Sequence, residues 1–479
     1  MKSFSFFSRF SNPFQLPLFR SNLVFPASSC ARPFHNSEIM SSVTNASVKV
    51  LVVGGAYGGL SAALNLLDLS RGKATRMAPR LGDPTDRKKV DIKFRIVDER
   101  DGYFHLIGSP LAFASAPEAE RFWVKYTDIA ALRDDAITVI QGSVSKIDPA
   151  TKTATILDSK TKKQYEESYD FLIAASGLRR VKQVVPQALT KEEYLEEAKK
   201  QIEAVGVGEG VQNRKGVVVI GGGAVGIEMA SEIALVHPTQ RVTLIHSRER
   251  LLSAEPLPAE VAEYAVAALR RLGVEVVLGH RVNSSVQYAD GKYLLKLSDG
   301  TKRTAGAVIW ALSKQQASSS YLPKDTLDED GLVQIDSTLH FKNDLPNSKY
   351  HYAVGDIAKW SGIKRCGAAM HMGFLAANNI YQDILASIGF IKAPKYVTFP
   401  EVPPMIALAC GKEAISYSQE EGAAVGEDIM KMFFEGDLGF RICWDYLQLG
   451  KENVVAEDAE TPEEVKTLEK KIDVVAISA

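Results

Sequence analysis

Two glycine-rich turns carry most of the chemistry that this sequence implies. Each turn follows an apolar run, 48–53 or 217–220, that is typical of a buried strand, and each precedes a helical pattern. A glycine turn of this kind brings the free N–H groups of a helix N-terminus to a pyrophosphate. The two patterns therefore predict two dinucleotide-binding sites. Their residues are Gly54, Gly55, Ala56, Tyr57, Gly58 and Gly59 in the first turn, and Gly221, Gly222, Gly223, Ala224, Val225 and Gly226 in the second.

The first site has an acidic residue in the expected place but at an unusual spacing. The strand 93–98 ends at Asp98, whose carboxylate is placed to bind an adenosine ribose. Asp98 lies 39 residues after Gly59, whereas the motif usually has about 20. We interpret the excess as an insertion over 71–90. Ala56 replaces the second glycine of the motif, and its methyl group crowds the phosphate slightly.

The second site has the usual spacing but lacks the acid. The next strand ends at His246, 20 residues after Gly226, and Ser247 and Arg248 follow it. No carboxylate would repel a 2′-phosphate there, and Arg248 can pair with one. The pattern predicts that NADPH is accepted as well as NADH. The alternative is that Arg248 and Arg250 are solvated surface charges.

Two dinucleotides in one chain are most simply a tightly bound flavin and a nicotinamide donor, and hydride transfer between them needs no protein nucleophile.

No H-x-x-H or H-E-x-x-H pattern occurs, so no metal site is predicted. The cysteines are far apart in sequence, at Cys30, Cys366, Cys410 and Cys443. That spacing argues against a disulfide scaffold, a zinc ribbon and a redox-active dithiol.

The composition is that of an ordinary globular protein of several domains. The chain has 479 residues, of which 46% are hydrophobic and 24% charged, and such a length corresponds to about three domains. The formal net charge of −1 gives no indication of a nucleic-acid partner. No run of 18 apolar residues occurs, which argues against a transmembrane helix.

The order of the motifs predicts an α/β fold with two Rossmann-like dinucleotide-binding domains and a smaller C-terminal α+β domain. We expect the FAD-binding domain to comprise 46–190 and 305–394. The NAD(P)H-binding domain is 191–304, beginning with a helix capped by Thr190. The C-terminal domain is 395–479, and its Met, Phe and Trp residues form either core packing or a membrane or dimer face.

The first 45 residues differ from the rest and are predicted to be a transit peptide or a disordered segment. They contain no acid before Glu38 and carry spaced basic residues with many Ser and Phe. This pattern favours mitochondrial import, and the alternative is a disordered tail without an address. A chain started at Met40 would be cytoplasmic.

The order of four motifs resembles a known family. Ala175-Ser176-Gly177 is similar to an A-T-G turn and Gly355-Asp356 to a late G-D motif of the FAD-dependent pyridine nucleotide oxidoreductases. Within that family, the stretches 221–233, 242–247, 271–282 and 352–358 resemble the branch of the mitochondrion-associated apoptosis-inducing factors, the ferroptosis-suppressor-like oxidoreductases.

The resemblance implies roles for further residues. Asp356 would bind the flavin ribityl chain, Gly177 would close the FAD site, and Val144 would supply a backbone contact to the adenine. Glu228 would lie on the nicotinamide side, where a helix-dipole partner is the alternative. His371 would lie near the flavin, where it tunes the flavin or gives the acceptor a proton, or packs as a structural residue. The branch's myristoylated glycine is absent, and Ala112 lies near the place of its arginine after Phe104-His105.

These features predict an FAD-dependent oxidoreductase that passes hydride from NAD(P)H through FAD to a quinone-type acceptor. Two alternatives stay open: an FAD oxidoreductase for one small molecule, such as a secondary metabolite, and an NADH-responsive effector associated with cell death. The basic insertion 71–90 either touches an anionic membrane surface or is a solvated loop. The sequence does not predict an oligomeric state.

Overall fold

The computed structural model describes residues 47–77, 87–180, 183–206, 216–312, 316–342 and 344–453. The predicted transit segment and part of the basic insertion lie outside the described residues. So does the pair Thr461-Pro462, a cap residue followed by proline that predicts the start of a further helix. Mitochondrial import and the domain boundaries therefore stay predictions.

The described helices and strands alternate in the order expected for an α/β protein. The helices are α1 (Tyr57–Ser70), α2 (Ser109–Ala112), α3 (Ala116–Arg121), α4 (Lys191–Val205), α5 (Ala224–Val236), α6 (Ala259–Arg271), α7 (Cys366–Ser387), α8 (Glu427–Phe433) and α9 (Phe440–Tyr446). The strands are β1 (Val48–Val53), β2 (Ile92–Asp98), β3 (Gly102–Phe104), β4 (Trp123–Lys125), β5 (Ile137–Asp148), β6 (Thr153–Asp158), β7 (Gln164–Ser168), β8 (Phe171–Ala174), β9 (Leu178–Arg179), β10 (Val217–Ile220), β11 (Val242–Ile245), β12 (Glu275–Val277), β13 (Val282–Gln287), β14 (Tyr293–Leu297), β15 (Lys302–Ala305), β16 (Ala307–Trp310), β17 (Gln316–Ala317), β18 (His351–Ala353), β19 (Ile406–Cys410), β20 (Glu413–Ser418) and β21 (Gly422–Gly426).

The first glycine turn belongs to a sheet of order β18-β8-β1-β2-β5-β6-β7. β1 pairs in parallel with β2 and β8, and β18 pairs in parallel with β8. β1 is buried on both faces over its last four residues, which explains its continuous apolar sequence. Because these strands run in parallel, their carboxyl ends meet at one edge of the sheet.

The short alternating runs of 137–166 predict a small β-meander, and the structure has antiparallel pairs of β5 with β6 and of β6 with β7 there. The first half of β5 continues the parallel sheet beside β2, and its second half pairs in the opposite direction with β6. The register between β5 and β6 shifts between Val144 and Lys146. Val144 thus lies beyond the position at which Asp98 pairs with Gln141.

The second glycine turn belongs to a separate parallel sheet of order β12-β11-β10-β16. A small antiparallel sheet, β13-β14-β15, lies between β12 and β16 in the chain. The predicted helix cap is confirmed, since the Thr190 hydroxyl accepts a hydrogen bond from the N–H of Glu193 at 3.3 Å. The α/β fold with two dinucleotide-type sheets is confirmed.

The C-terminal part combines the antiparallel sheet β19-β20-β21 with α8 and α9. Its aromatic residues pack against the rest of the chain. Phe440 stacks on Trp444 at 5.6 Å and contacts His105 at 5.4 Å. His105 in turn donates from Nε2 to the Leu438 carbonyl oxygen at 3.0 Å and accepts from the Tyr57 hydroxyl at Nδ1. These contacts support core packing for this part of the tail.

Two features bear on membrane contact. No helix of the described residues is long and apolar enough to cross a bilayer. At the start of the basic insertion, Arg71 pairs with Asp134 at 2.6 Å and Arg76 with Asp68 at 3.0 Å. The side chains of Arg71 and Arg76 are therefore paired with carboxylates of this chain.

Candidate active site between two glycine-rich turns

At two positions of the first turn, Gly54 and Gly59, no residue other than glycine fits without strain. Gly54 has φ +108°, and a Cβ there would lie 2.4 Å from the Ala175 carbonyl oxygen. A Cβ on Gly59 would lie 1.9 Å from the Gly54 carbonyl oxygen. Both distances are far below van der Waals contact, so the strand, the turn and α1 approach one another only because these positions are glycine.

Asp98 lies at the end of β2, directly beside this turn. Its Oδ2 accepts a hydrogen bond from the N–H of Gly55 at 2.6 Å, and its Oδ1 accepts one from the N–H of Arg100 at 2.8 Å. Burial raises the pKa of the carboxyl, while Arg100 and the two N–H donors oppose the shift. The carboxylate therefore shapes the turn, in addition to the ribose contact that the spacing predicts.

The Ala175-Ser176-Gly177 turn and the Gly355-Asp356 motif lie beside the first turn, at the carboxyl-end edge of the same sheet. Gly177 has φ +68°, and a Cβ there would meet open space. A Cβ on Gly58 would lie 3.1 Å from the Val354 side chain. Asp356, two residues further on, forms an ion pair with Arg180 at 3.4 Å. The structure thus brings the first glycine turn together with the Ala175-Ser176-Gly177 and Gly355-Asp356 motifs, the three motifs predicted to form the FAD site.

The site fits an anionic dinucleotide. The first turn of α1 contains no acidic residue, so its free N–H groups and positive dipole end favour phosphate. In the described part of the chain, the buried Nε donors of Arg100 and Arg180 have no hydrogen-bond partner. These two arginines lie beside Asp98 and Asp356, and such donors suit phosphate oxygens.

The second turn repeats the construction of the first. Gly221 has φ +123°, and a Cβ there would lie 2.1 Å from the Ala311 carbonyl oxygen. A Cβ on Gly226 would lie 1.9 Å from the Gly221 carbonyl oxygen, the same distance as at Gly59. Gly223 is the N-cap of α5, whose first turn has no acidic residue. The second turn is therefore a phosphate-binding cradle of the same geometry.

His246 takes the place that Asp98 has in the first site. Its Nδ1 accepts from the N–H of Gly222 at 3.0 Å, so its Nε2–H donates to the Ser253 hydroxyl at 3.0 Å. Burial and the nearby Arg248 lower the pKa of His246, which leaves the ring neutral at pH 7. Ser247 and Arg248 follow on the surface, and the Arg248 guanidinium forms no ion pair with any described residue.

Glu228 and Arg180 connect the two sites. Glu228 lies on the second turn of α5, and its Oε1 accepts from the N–H of Ala409 at 3.4 Å. Burial raises its pKa to about 8, and Arg180 opposes that shift. Arg180 therefore lies within electrostatic range of Glu228 on one side and pairs with Asp356 on the other. Arg180 thus lies near one residue of each predicted site, and the motifs do not mark it.

Glu232, one helical turn after Glu228, is a buried carboxyl that the sequence patterns do not mark either. Its side chain is 1% exposed, and its Oε1 has no hydrogen-bond partner among the described residues. Burial raises its pKa to about 8, and the charge of Glu228 adds to the rise. The carboxyl is thus mostly protonated at pH 7.

We expect Glu232→Gln to stabilise the protein at pH 8 but not at pH 4.5. The unfolded side chain ionises near pH 4.5 and the folded one near 8, so the native state loses stability as the pH rises through this window. Glutamine has no such penalty, and the difference is on the order of 4 kcal/mol. Urea denaturation of both proteins from pH 4.5 to 8 measures it. The exposed Glu421→Gln should change stability by less than about 0.5 kcal/mol at either pH, and an equal effect of both variants would contradict the account.

The predicted His371 lies in an aromatic environment. Its ring contacts Phe399 at 5.8 Å and Phe374 at 6.3 Å. Burial lowers its pKa to about 4, so it is neutral at pH 7. This placement favours the packing interpretation over proton donation. Lys364, which the sequence did not single out, is a second largely buried titratable group, and it lies near Asp356. Burial lowers its pKa to about 8, and Asp356 opposes the shift.

The fold brings together two cysteines that are far apart in the sequence. The sulfur atoms of Cys366 and Cys443 lie 4.0 Å apart, and both cysteines are free, so the prediction that no redox-active dithiol is present stays a prediction. The first residue of α7 and a residue of α9 meet there, a contact that only the packing of the C-terminal helices creates. No group of residues that could hold a metal ion occurs in the described part of the chain.

Comparisons with known proteins agree with this geometry. The profile of the pyridine nucleotide-disulphide oxidoreductases matches residues 48–373. The chain is 48% identical over 446 residues to oxidoreductase OXR1 of Ajellomyces capsulatus, covering 91% of this chain and 94% of that protein. It is 27% identical over 353 residues to ferroptosis suppressor protein 1 of Taeniopygia guttata, covering 71% and 81%.

A solved structure shows the same fold. The sulfide:quinone oxidoreductase of Aquifex aeolicus superimposes with a TM-score of 0.59 at 17% identity, covering 84% of this chain and 92% of that one. The relatives include the ferroptosis-suppressor-like branch, as the resemblance predicted. The chain therefore belongs to the pyridine nucleotide-disulphide oxidoreductase family and is an oxidoreductase that uses FAD and NAD(P)H.

Proposed function

We propose that the protein passes a hydride from NAD(P)H through FAD to a quinone-type acceptor. When bound, FAD supplies chemistry that side chains lack, because it takes up a hydride and releases electrons to a second substrate. The observation that carries the proposal is the position of Arg180 between Asp356 and Glu228. Two dinucleotides held by the two cradles would approach each other near this arginine.

The first cradle would hold FAD. Its glycines let the pyrophosphate approach the N-terminus of α1, and the carboxylates of Asp98 and Asp356 accept hydrogen bonds from sugar or ribityl hydroxyls. Arg180 pairs with Asp356 and orients its carboxylate. The proposed FAD-binding residues are Gly54, Gly55, Ala56, Tyr57, Gly58, Gly59, Asp98, Val144, Gly177 and Asp356.

The second cradle would hold NAD(P)H. Gly221, Gly223 and Gly226 admit its pyrophosphate, and Glu228 borders the nicotinamide. Ser247 and Arg248 lie beyond β11, where the hydroxyls or the 2′-phosphate of the adenosine ribose would be. The neutral His246 holds the turn without the negative charge of a carboxylate.

We expect Arg248→Ala to raise KM for NADPH about fivefold and to leave KM for NADH nearly unchanged. A partly exposed guanidinium–phosphate pair contributes about 1 kcal/mol, which corresponds to that factor. Steady-state kinetics with both donors measure the effect. Arg133→Ala, an exposed arginine near the other sheet, is the control and should change neither constant. Equal effects of Arg248→Ala on both donors would show that Arg248 does not contact the 2′-phosphate.

The surroundings of Asp356 support a flat, carbonyl-bearing acceptor. Trp360 contacts Phe399 at 5.6 Å, and Lys364 lies over the Trp360 ring at 5.2 Å. The buried Nε1–H of Trp360 has no hydrogen-bond acceptor among the described residues. A quinone offers an aromatic face for stacking and two carbonyl oxygens for such donors. The structural neighbour from Aquifex aeolicus is a sulfide:quinone oxidoreductase, which is consistent with a quinone acceptor for a protein of this fold.

The proposal is tested by product stoichiometry. Purified FAD-loaded protein is mixed under nitrogen with NADH and either a soluble ubiquinone analogue or menadione. One quinol should form for each NADH consumed. NADH oxidation without quinol formation, or faster NADH oxidation in a parallel air-saturated reaction without quinone, would contradict the quinone assignment and would favour the alternative of another small-molecule substrate.

A further inference from the structure

An apolar surface lies where α7 ends, at the opposite end of this helix from the first cradle. The first turns of α7 pack on the cradle, since a Cβ on Gly58 would lie 3.3 Å from the Ala369 carbonyl oxygen. A helix of 22 residues is about 33 Å long, so the far end of α7 is remote from the cradle. Four large hydrophobic side chains, here termed the apolar tip, are exposed there: Ile388 (50%), Phe390 (48%), Tyr396 (40%) and Val397 (40%).

Hydrogen bonds hold the two segments of the apolar tip against α7. After the helix, the N–H of Phe390 donates to a carbonyl oxygen of the last turn of α7 at 2.9 Å. The chain then returns along the helix, where the N–H of Val397 donates to the side-chain oxygen of Asn379 at 2.8 Å. The Tyr396 hydroxyl donates to Asp383, so this polar group is already paired within the fold. The exposed side chains therefore belong to a fixed surface.

Basic residues border the apolar tip. The segments 87–90 and 387–398 contain five basic residues and no acidic one. Lys88 is held beside the tip, because its N–H donates to the Tyr381 hydroxyl at 2.6 Å and the same hydroxyl donates to the Lys88 carbonyl oxygen at 2.7 Å. The Lys88 ammonium lies 5.9 Å from the centre of the Phe390 ring. All five basic residues are exposed: Arg87, Lys88, Lys89, Lys392 and Lys395.

An exposed apolar tip with a basic border matches the surface of an anionic bilayer. Apolar side chains enter the boundary between headgroups and acyl chains, while lysine ammonium groups stay at the level of the phosphates. Tyrosine is enriched at the same level, because its ring is amphipathic. The residues 387–390 and 395–398 are exposed without interruption, so both segments project into solvent. A projecting surface suits a lipid layer better than it suits the insertion of a partner's side chain.

We propose that the apolar tip and its basic border dock the protein on an anionic lipid bilayer. Of the two interpretations of the basic insertion, the membrane contact then applies to its residues 87–89, whereas Arg71 and Arg76 pair within the fold. The proposal is independent of the function proposed above. Docking at the far end of α7 leaves the first cradle uncovered.

The chain offers a matched control surface in its second half. Val286 and Tyr288 are exposed to 52% and 50%, about as much as Ile388 and Phe390. They lie at the end of β13, where 286–292 contains one acidic and one basic residue, and these two form an ion pair with each other. This surface has the apolar character of the apolar tip without its positive charge.

Sedimentation with lipid vesicles tests the proposal on the full chain loaded with FAD. We expect binding to phosphatidylcholine vesicles that contain phosphatidylserine, weakened by salt, and no binding to phosphatidylcholine alone. Lys88→Ala/Lys392→Ala should weaken binding about 25-fold, since each lysine near an anionic surface contributes about fivefold. Ile388→Ser/Phe390→Ser should weaken it at least about tenfold. The control Val286→Ser/Tyr288→Ser should bind as the original chain does.

Three results would overturn the proposal: no binding to either kind of vesicle, equal binding to both kinds, or unchanged binding of Ile388→Ser/Phe390→Ser. Sedimentation velocity without lipid gives a fourth. If the original chain is a dimer and Ile388→Ser/Phe390→Ser a monomer, the apolar tip joins two copies and the lipid assignment fails. Flavin content and the reduction of a soluble quinone should be unchanged in this variant, and if its flavin content falls, the lysine variant decides.

Discussion

Gly59→Ala is expected to yield a protein that binds FAD roughly 10- to 100-fold more weakly. The new methyl group would lie 1.9 Å from the Gly54 carbonyl oxygen. To relieve this overlap, α1 must move away from β1, which removes its N–H groups from the pyrophosphate. The ratio of flavin to protein absorbance after purification measures the loss, and titration of the apoprotein with FAD gives the affinity.

Gly436→Ala is the control for this variant, because a Cβ at Gly436 would meet no atom within 4 Å. That variant should purify as yellow as the original protein. The Gly59→Ala protein should still bind NADPH by calorimetry if its second sheet is intact. Full flavin content in Gly59→Ala would contradict the assignment of this turn to FAD.

Gly226→Ala is expected to impair the use of NAD(P)H while leaving FAD bound. Its methyl group would lie 1.9 Å from the Gly221 carbonyl oxygen, so the second cradle opens as the first does in Gly59→Ala. FAD should stay bound, while reduction by NADH and by NADPH should both slow by at least about tenfold. Stopped-flow absorbance of the flavin measures this rate.

Each of the two glycine variants serves as the control for the other, because each places a methyl group 1.9 Å from a carbonyl oxygen at the same point of its turn. Dithionite should still reduce the flavin of Gly226→Ala at the original rate, which shows that the flavin itself is unaffected. Loss of FAD from Gly226→Ala, or an unchanged rate with both nicotinamide donors, would contradict the assignment of this turn to NAD(P)H.

Local patterns predicted the framework well. The strand–turn–helix units at Gly54 and Gly221, the helix after Thr190 and the meander beyond Ile137 depend on residues that are close in sequence. The sequence also shows that His246 stands where this motif usually has an acidic residue. Its hydrogen bond to Gly222, which copies that of Asp98 to Gly55, adds a structural reason for a neutral residue at this position.

Contacts between distant segments could not be predicted in this way. Arg180 lies outside every motif and gains its place only when β8 and β18 pair. Cys366 and Cys443 meet because α9 packs beside the start of α7. Glu232 looks like an ordinary helical glutamate until β19 covers it. In each case the partner lies more than 70 residues away, and no period or spacing in the sequence indicates it.

The central claim is that NAD(P)H and a quinone communicate through a flavin held by the first cradle. A double-mixing stopped-flow experiment tests it most directly. The FAD-loaded protein is first mixed anaerobically with one equivalent of NADPH and then with a soluble quinone, while flavin absorbance is followed. We predict that the absorbance falls in the first mixing and returns in the second, at a rate that rises with quinone concentration. An absorbance that does not fall with NADPH or NADH, or that falls and returns no faster with quinone than with buffer, would contradict the account.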